Sequence, residues 1–104
     1  RNATVTVCHT KTANLPAVTR EADIHVTAEG AAGSLTAAHV RPGQTVIDVS
    51  ANWDAAKNTI VGDADDGAAS IADAITPVPG GVGPMTRAML MENLLTAARQ
   101  HQGR

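Results

Sequence analysis

The sequence predicts an α/β fold with a mainly parallel sheet, flanking helices and a long C-terminal helix. Three features carry that expectation. Short β-branched runs recur along the first half of the chain. Short helical stretches alternate with them, the order that builds parallel strands through crossover connections. Past residue 84 the apolar residues change to helical spacing and keep it almost to the end.

Ala3–Cys8 (ATVTVC) is continuous and β-branched, and reads as a buried strand that ends in the polar His9-Thr10-Lys11-Thr12. Asn14 is placed to cap a helix over Leu15 to Glu21, with Pro16 in its first turn. Ala22 to Ala28 reads as a second strand, followed by a loop over Glu29 to Gly33. Thr36 to Val40 makes one helical turn, which Arg41-Pro42-Gly43 stops. Thr45 to Val49 reads as a third strand. Ser50 to Thr59 is then a hairpin-like excursion returning to Ile60-Val61-Gly62-Asp63. Asp65 to Asp73 holds a short helix. Two prolines keep Ala74 to Pro79 extended, and Gly80 to Gly83 form a tight loop. A helix runs from Pro84 to about Gln102, with Met85, Ala88, Met89, Leu95 and Ala98 as its apolar stripe and Arg87 and Arg99 outside it.

Composition excludes several function classes. The net charge of −2 is spread along the chain, with no basic run to serve nucleic acid. Apolar stretches are far too short for a membrane span, and no signal peptide is visible. Cys8 is the single cysteine, so there is no disulfide framework and a reducing, cytoplasmic setting is expected. With one Trp and no Phe or Tyr, the core is built from small side chains that each bury little area. Together with an opening Arg1-Asn2 in place of Met, this leads us to expect a piece of a longer protein.

His9, His25, His39 and His101 are scattered without metal-ligand spacing, so no metal is expected. Cys8 reads as packing and not as a nucleophile. Asp63, Asp65 and Asp66 lack the alternation and glycine of a calcium loop, and read as an acidic solvated turn. The strongest signal is Thr76-Pro77-Val78-Pro79-Gly80-Gly81-Val82-Gly83-Pro84-Met85-Thr86. Its prolines stiffen the approach, its glycines bare the backbone, and the following helix aims its positive end at whatever the loop holds.

That string is a near-literal match to the signature of the bifunctional methylenetetrahydrofolate dehydrogenase/cyclohydrolase family. ATVTVCHTKT at Ala3 to Thr12, ADI at Ala22 to Ile24, PGQTVIDV at Pro42 to Val49, VGD at Val61 to Asp63 and AMLMENLLTAA at Ala88 to Ala98 resemble other family segments in the right order. The resemblance implies the C-terminal part of a Rossmann-like nucleotide domain over residues 1–83. Residues 84–104 would be a closing helix packed towards an N-terminal catalytic domain.

It also implies NADP as cofactor, tetrahydrofolate derivatives as substrates, and a homodimer paired near Trp53. The implied parent oxidises 5,10-methylenetetrahydrofolate and hydrolyses the methenyl product to 10-formyltetrahydrofolate. Its catalytic lysine, in a Tyr-x-x-x-Lys motif, and its Gly-Arg-Ser turn lie outside these residues, so no catalytic residue is expected here. By resemblance, Thr10 stands beside the adenosine 2′-phosphate, with Lys11 adding charge. Ala28 stands at the adenine-ribose side, and Val49, Ala51 and Thr86 at the nicotinamide. Pro79, Gly80, Gly83 and Pro84 approach the folate. Two departures adjoin the cofactor: Ser50-Ala51-Asn52 replaces the usual Gly-Ile-Asn, and Glu29 stands where valine or threonine is common. They support a competing expectation, a non-catalytic nucleotide-binding or dimerisation module of the same fold.

Overall fold

A computed structural model of the chain describes residues 2–103. Three strands, β1 (Ile24–Thr27), β2 (Thr45–Asp48) and β5 (Ala74–Ile75), form a parallel sheet in the order β1-β2-β5. Ile24 pairs with Thr45 and Thr27 with Asp48, so β1 and β2 end level with each other. The excursion after β2 is the expected hairpin, β3 (Asn52–Asp54) against antiparallel β4 (Thr59–Val61). Its turn is closed by Asn58 at φ 51°, a left-handed conformation that asparagine tolerates.

Helix α1 (Leu15–Thr19) precedes β1, a 3-10 turn (Ala37–His39) lies between β1 and β2, and α2 (Asp66–Ile71) precedes β5. Asp65 caps α2 by accepting the N–H of Ala68. Leu35, Val40, Val46 and Ala68 form the buried core, with Ile71, Ala72 and Ile75 packed on it. Gln44, just before β2, is also fully buried; its amide nitrogen donates to the carbonyls of Thr19 (2.7 Å) and Ala22 (3.0 Å), tying α1 to the sheet.

Four expectations are corrected. Ala3–Cys8 is not a strand: it makes no ladder, and Val5 and Val7 are 79% and 87% exposed. A strand must hydrogen-bond to a neighbour. Here a cavity of about 960 Å³ separates the segment from β1, lined by Ala3, Val5, Ile24 and Val26 among others. Asn14 does not cap α1 with its side chain; it is left-handed at φ 50°, and its carbonyl accepts from Ala17 and Val18 instead. The long helix α3 (Val82–Gln102) begins two residues before Pro84, because the first turn has no intrahelical use for a proline N–H. The fourth correction, to the acidic turn, belongs to the site below.

No residue of α3 is buried, and its exposed apolar side chains extend beyond the expected stripe to Leu90, Met91 and Leu94. Met85, Leu90, Met91 and Leu94 are each about three-fifths exposed (59–66%). The radius of gyration, 16.3 Å, exceeds the roughly 13 Å of a compact domain of this length. An unpacked helix and an unpaired N-terminal segment account for the excess.

Candidate functional site

The C-terminal ends of β1 and β2 lie side by side, where open parallel sheets bind ligands. The Val49 N–H donates to the Thr27 carbonyl at 2.9 Å and carries the ladder one residue past the strands. Side chains alternate across this extended backbone. Thr27 and Asp48 point inward and are buried, while Ala28, Val49 and Ala51 face out. Three of the expected cofactor residues, Ala28, Val49 and Ala51, are therefore exposed at or just past the strand ends.

Behind that surface lies Asp63, which is fully buried. One carboxylate oxygen accepts from the Thr27 hydroxyl (2.9 Å), the Glu29 N–H (2.8 Å) and the Ser50 hydroxyl (2.8 Å). The other accepts from the Ala31 N–H (3.0 Å) and the Asn52 side-chain amide (3.1 Å). Burial alone pushes this carboxyl up. The hydrogen bonds from Ser50, the Glu29 backbone, Asn52 and Thr27 outweigh it and hold Asp63 below the ordinary carboxylate range. Asp48 makes a second buried node, accepting the N–H groups of Ser50 (3.2 Å), Asp63 (3.2 Å) and Ala64 (3.0 Å). Gly62 has no alternative here, since a Cβ on it would collide with the Asp48 carboxylate.

The acidic turn is thus not a solvated one. Asp63 is interior, Asp65 is a helix cap, and of the three only Asp66 is exposed. Sequence reasoning missed Asp63 because its donors come from residues 27, 29, 31, 50 and 52, and no local pattern brings those together.

The Pro-Gly loop is anchored to the same sheet. The Thr76 N–H donates to the Val46 carbonyl (3.1 Å), and the Thr76 hydroxyl accepts from the Asp48 N–H (2.9 Å). Val78-Pro79 is cis, and Gly80 has φ 99°. Pro79, Gly80, Gly83 and Pro84 are all exposed. The glycines divide by role. A Cβ on Gly81 would strike the Pro77 carbonyl, whereas one on Gly83 would meet nothing within 4 Å.

Thr10 and Thr86 are not joined to the strand-end cluster by any hydrogen bond. Thr10 is exposed in a turn that closes with Thr12 N–H on the His9 carbonyl (3.0 Å). The Thr86 hydroxyl donates to the Val82 carbonyl of its own helix (3.0 Å). Cys8 is half-buried. His25 is held below the usual imidazole range by burial and by His39, with Glu29 opposing. Among the described residues, no group of His, Cys, Asp or Glu is placed to hold a metal ion, and no helix is long and apolar enough to cross a membrane.

Residues 1–102 match the family model described as "Tetrahydrofolate dehydrogenase/cyclohydrolase, NAD(P)-binding domain". The "Bifunctional protein FolD" of Methanospirillum hungatei is 55% identical over 103 residues, which is 98% of this chain and 36% of the relative. The protein of the same name from Chloroflexus aurantiacus is 53% identical over the same shares. The chain therefore spans little more than a third of the length of these relatives.

Two solved structures are similar. The bifunctional 5,10-methylenetetrahydrofolate dehydrogenase/cyclohydrolase of Thermoplasma acidophilum superposes with a TM-score of 0.91 at 43% identity, covering 100% of this chain and 38% of its own. The methylenetetrahydrofolate dehydrogenase-cyclohydrolase of Trypanosoma brucei, complexed with NADP cofactor and inhibitor, superposes at 0.81 with 39% identity, covering 94% and 36%. By the family match, these relatives and the strand-end geometry, this chain belongs to the tetrahydrofolate dehydrogenase/cyclohydrolase family and is its NAD(P)-binding domain.

Proposed function

We propose that this chain forms the cofactor wall of a full-length enzyme that oxidises 5,10-methylenetetrahydrofolate with NADP and hydrolyses 5,10-methenyltetrahydrofolate to 10-formyltetrahydrofolate. The observation that supports it best is the outward-facing set Ala28, Val49 and Ala51 at the level ends of two parallel strands. The Pro-Gly loop is tied to the same strand through Thr76. The small exposed surface fits a flat nicotinamide or adenine ring, and the anchored loop fits a second flat ligand beside it.

In this reading Ala28 borders the adenine-ribose end, and Val49, Ala51 and Thr86 border the nicotinamide. Thr10 donates to the 2′-phosphate, with Lys11 adding charge. Bound NADP supplies the hydride acceptor. Pro79, Gly80, Gly83 and Pro84 present backbone to the folate. No residue here moves the proton, so that base comes from an N-terminal domain, against which the exposed Met85, Met89 and Leu95 of α3 pack. The enzyme is a cytoplasmic homodimer, joined near the exposed Trp53 of the β3–β4 hairpin. Folate and NADP are its ligands, with neither nucleic acid nor membrane, and its product serves purine biosynthesis.

Gly83→Val in the full-length enzyme tests the folate side. Gly83 has open space around it and no positive φ, so the variant keeps its Tm. Its side chain enters the space where folate must approach, and both reactions fall by about tenfold or more, as misplacement of a reacting group on the ångström scale produces. A folded variant with normal folate kinetics would take the loop out of the active site.

A further inference from the structure

Each of the two alanines proposed to face the cofactor is bracketed by residues that bind one carboxylate. Ala28 lies between Thr27 and Glu29, both of which donate to the same oxygen of Asp63. Ala51 lies between Ser50 and Asn52, which donate one to each oxygen. Ala31 closes the first loop onto the second oxygen. Between Glu29 and Ala31, the Gly30 N–H donates to the Ser50 hydroxyl at 3.1 Å. Three successive backbone N–H groups are therefore turned inward, a concave arrangement of the kind that binds anions. Here it is filled by the chain's own Asp63 and by Ser50.

Resting on the cofactor reading above, we propose that Asp63 is a positioning residue that fixes Ala28 and Ala51 relative to each other, with Ser50 as a second tie between their loops.

The chemistry of the donors says how it breaks. Asparagine in place of Asp63 keeps the shape but turns one acceptor oxygen into a donor. The hydroxyls of Thr27 and Ser50 and the amide of Asn52 can reverse roles and accept. A backbone N–H cannot. Whichever way the new amide points, either Glu29 or Ala31 loses its acceptor, and the loop beside Ala28 shifts.

In the full-length enzyme, calorimetric titration of NADP should show Asp63→Asn binding about tenfold more weakly, because the free enzyme no longer holds the Ala28 loop in place for the cofactor. KM for NADP rises by the same factor, while cyclohydrolase turnover, which consumes no cofactor, falls by less. Amide hydrogen exchange at Glu29 and Ala31 speeds up. Ser50→Ala, a gentler change, shifts NADP affinity in the same direction by a few-fold, and it decides the matter if Asp63→Asn does not fold. Folded variants with unchanged NADP affinity would overturn the proposal. So would an equal loss in both reactions, which is what a merely structural role produces. Failure of the unmutated enzyme to bind NADP would instead remove the cofactor reading itself, and with it this role for Asp63.

Discussion

Around Asp63 and Asp48, backbone and side-chain donors from three segments converge on two buried carboxylates, and every carboxylate oxygen has a partner. Along α3, in contrast, 21 residues form a regular helix with none of them buried, and its Met and Leu side chains lie open. The N-terminal segment resembles α3 in this respect: Val5 and Val7 are exposed, and a cavity lies between Val5 and the side chains of Ile24 and Val26. The ends of β1 and β2 are complete within this chain, while its two flanks expose the apolar surface that elsewhere makes a core. Small domains stand close to the limit of stability, so the distinction matters energetically.

The largest effect should come from Gly62. Ala at this position drives a methyl group into the Asp48 carboxylate, which then releases the N–H groups of Ser50, Asp63 and Ala64. Overpacking together with unsatisfied buried groups costs about 2–4 kcal/mol, or roughly 10 °C or more in Tm for a domain of this size. Gly83→Ala should leave Tm unchanged or raise it slightly, because nothing lies near its added methyl group and alanine is the better helix former. Equal melting temperatures for the two variants would erase the contrast between the strand ends and the rest.

Thr10 sharpens the comparison on its functional side, since it sits on the exposed flank and not in the clamped region. If Thr10 donates to the 2′-phosphate, as proposed above, Thr10→Ala in the full-length enzyme removes one hydrogen bond to a charged group, about 1.5–3 kcal/mol, which is about a tenfold to hundredfold loss of NADP affinity. NAD, which lacks the 2′-phosphate, should lose far less. Competitive binding of the two cofactors checks this, and an equal loss for both would place Thr10 away from the phosphate.

What the sequence disclosed follows the same division. Strands β1 and β2 were readable because β-branched runs of this length pair wherever a partner exists, and the hairpin because turn residues punctuate it. Ala3–Cys8 is just as β-branched, yet no neighbour in the described chain hydrogen-bonds to it as a strand. Propensity measures readiness to pair and says nothing about whether a partner is at hand. Of the expected site, Ala28, Val49 and Ala51 are exposed at or just past the ends of β1 and β2, as alternation from the buried Thr27 and Asp48 leads one to expect. Asp63 could not be read in advance. An aspartate after a glycine looks like a solvated turn until five donors from distant positions are known to converge on it.

The smallest effect belongs to α3. Met85 is 59% exposed, so Met85→Ser in the 104-residue chain should change stability by less than about 0.5 kcal/mol. In the full-length enzyme, if the helix is buried against the N-terminal domain, the same change should cost about 2 kcal/mol or more. Chemical denaturation of both forms measures the difference. A small effect in both would mean that this side of the helix is never covered.

Hydrogen exchange of the full-length enzyme with and without NADP tests most directly where the cofactor sits. NADP should slow exchange in the segments containing Thr10, Ala28 to Ala31 and Val49 to Asn52, and leave α2 and the hairpin turn around Asn58 unchanged. Protection confined to those other elements, with none at the ends of β1 and β2, would contradict the account.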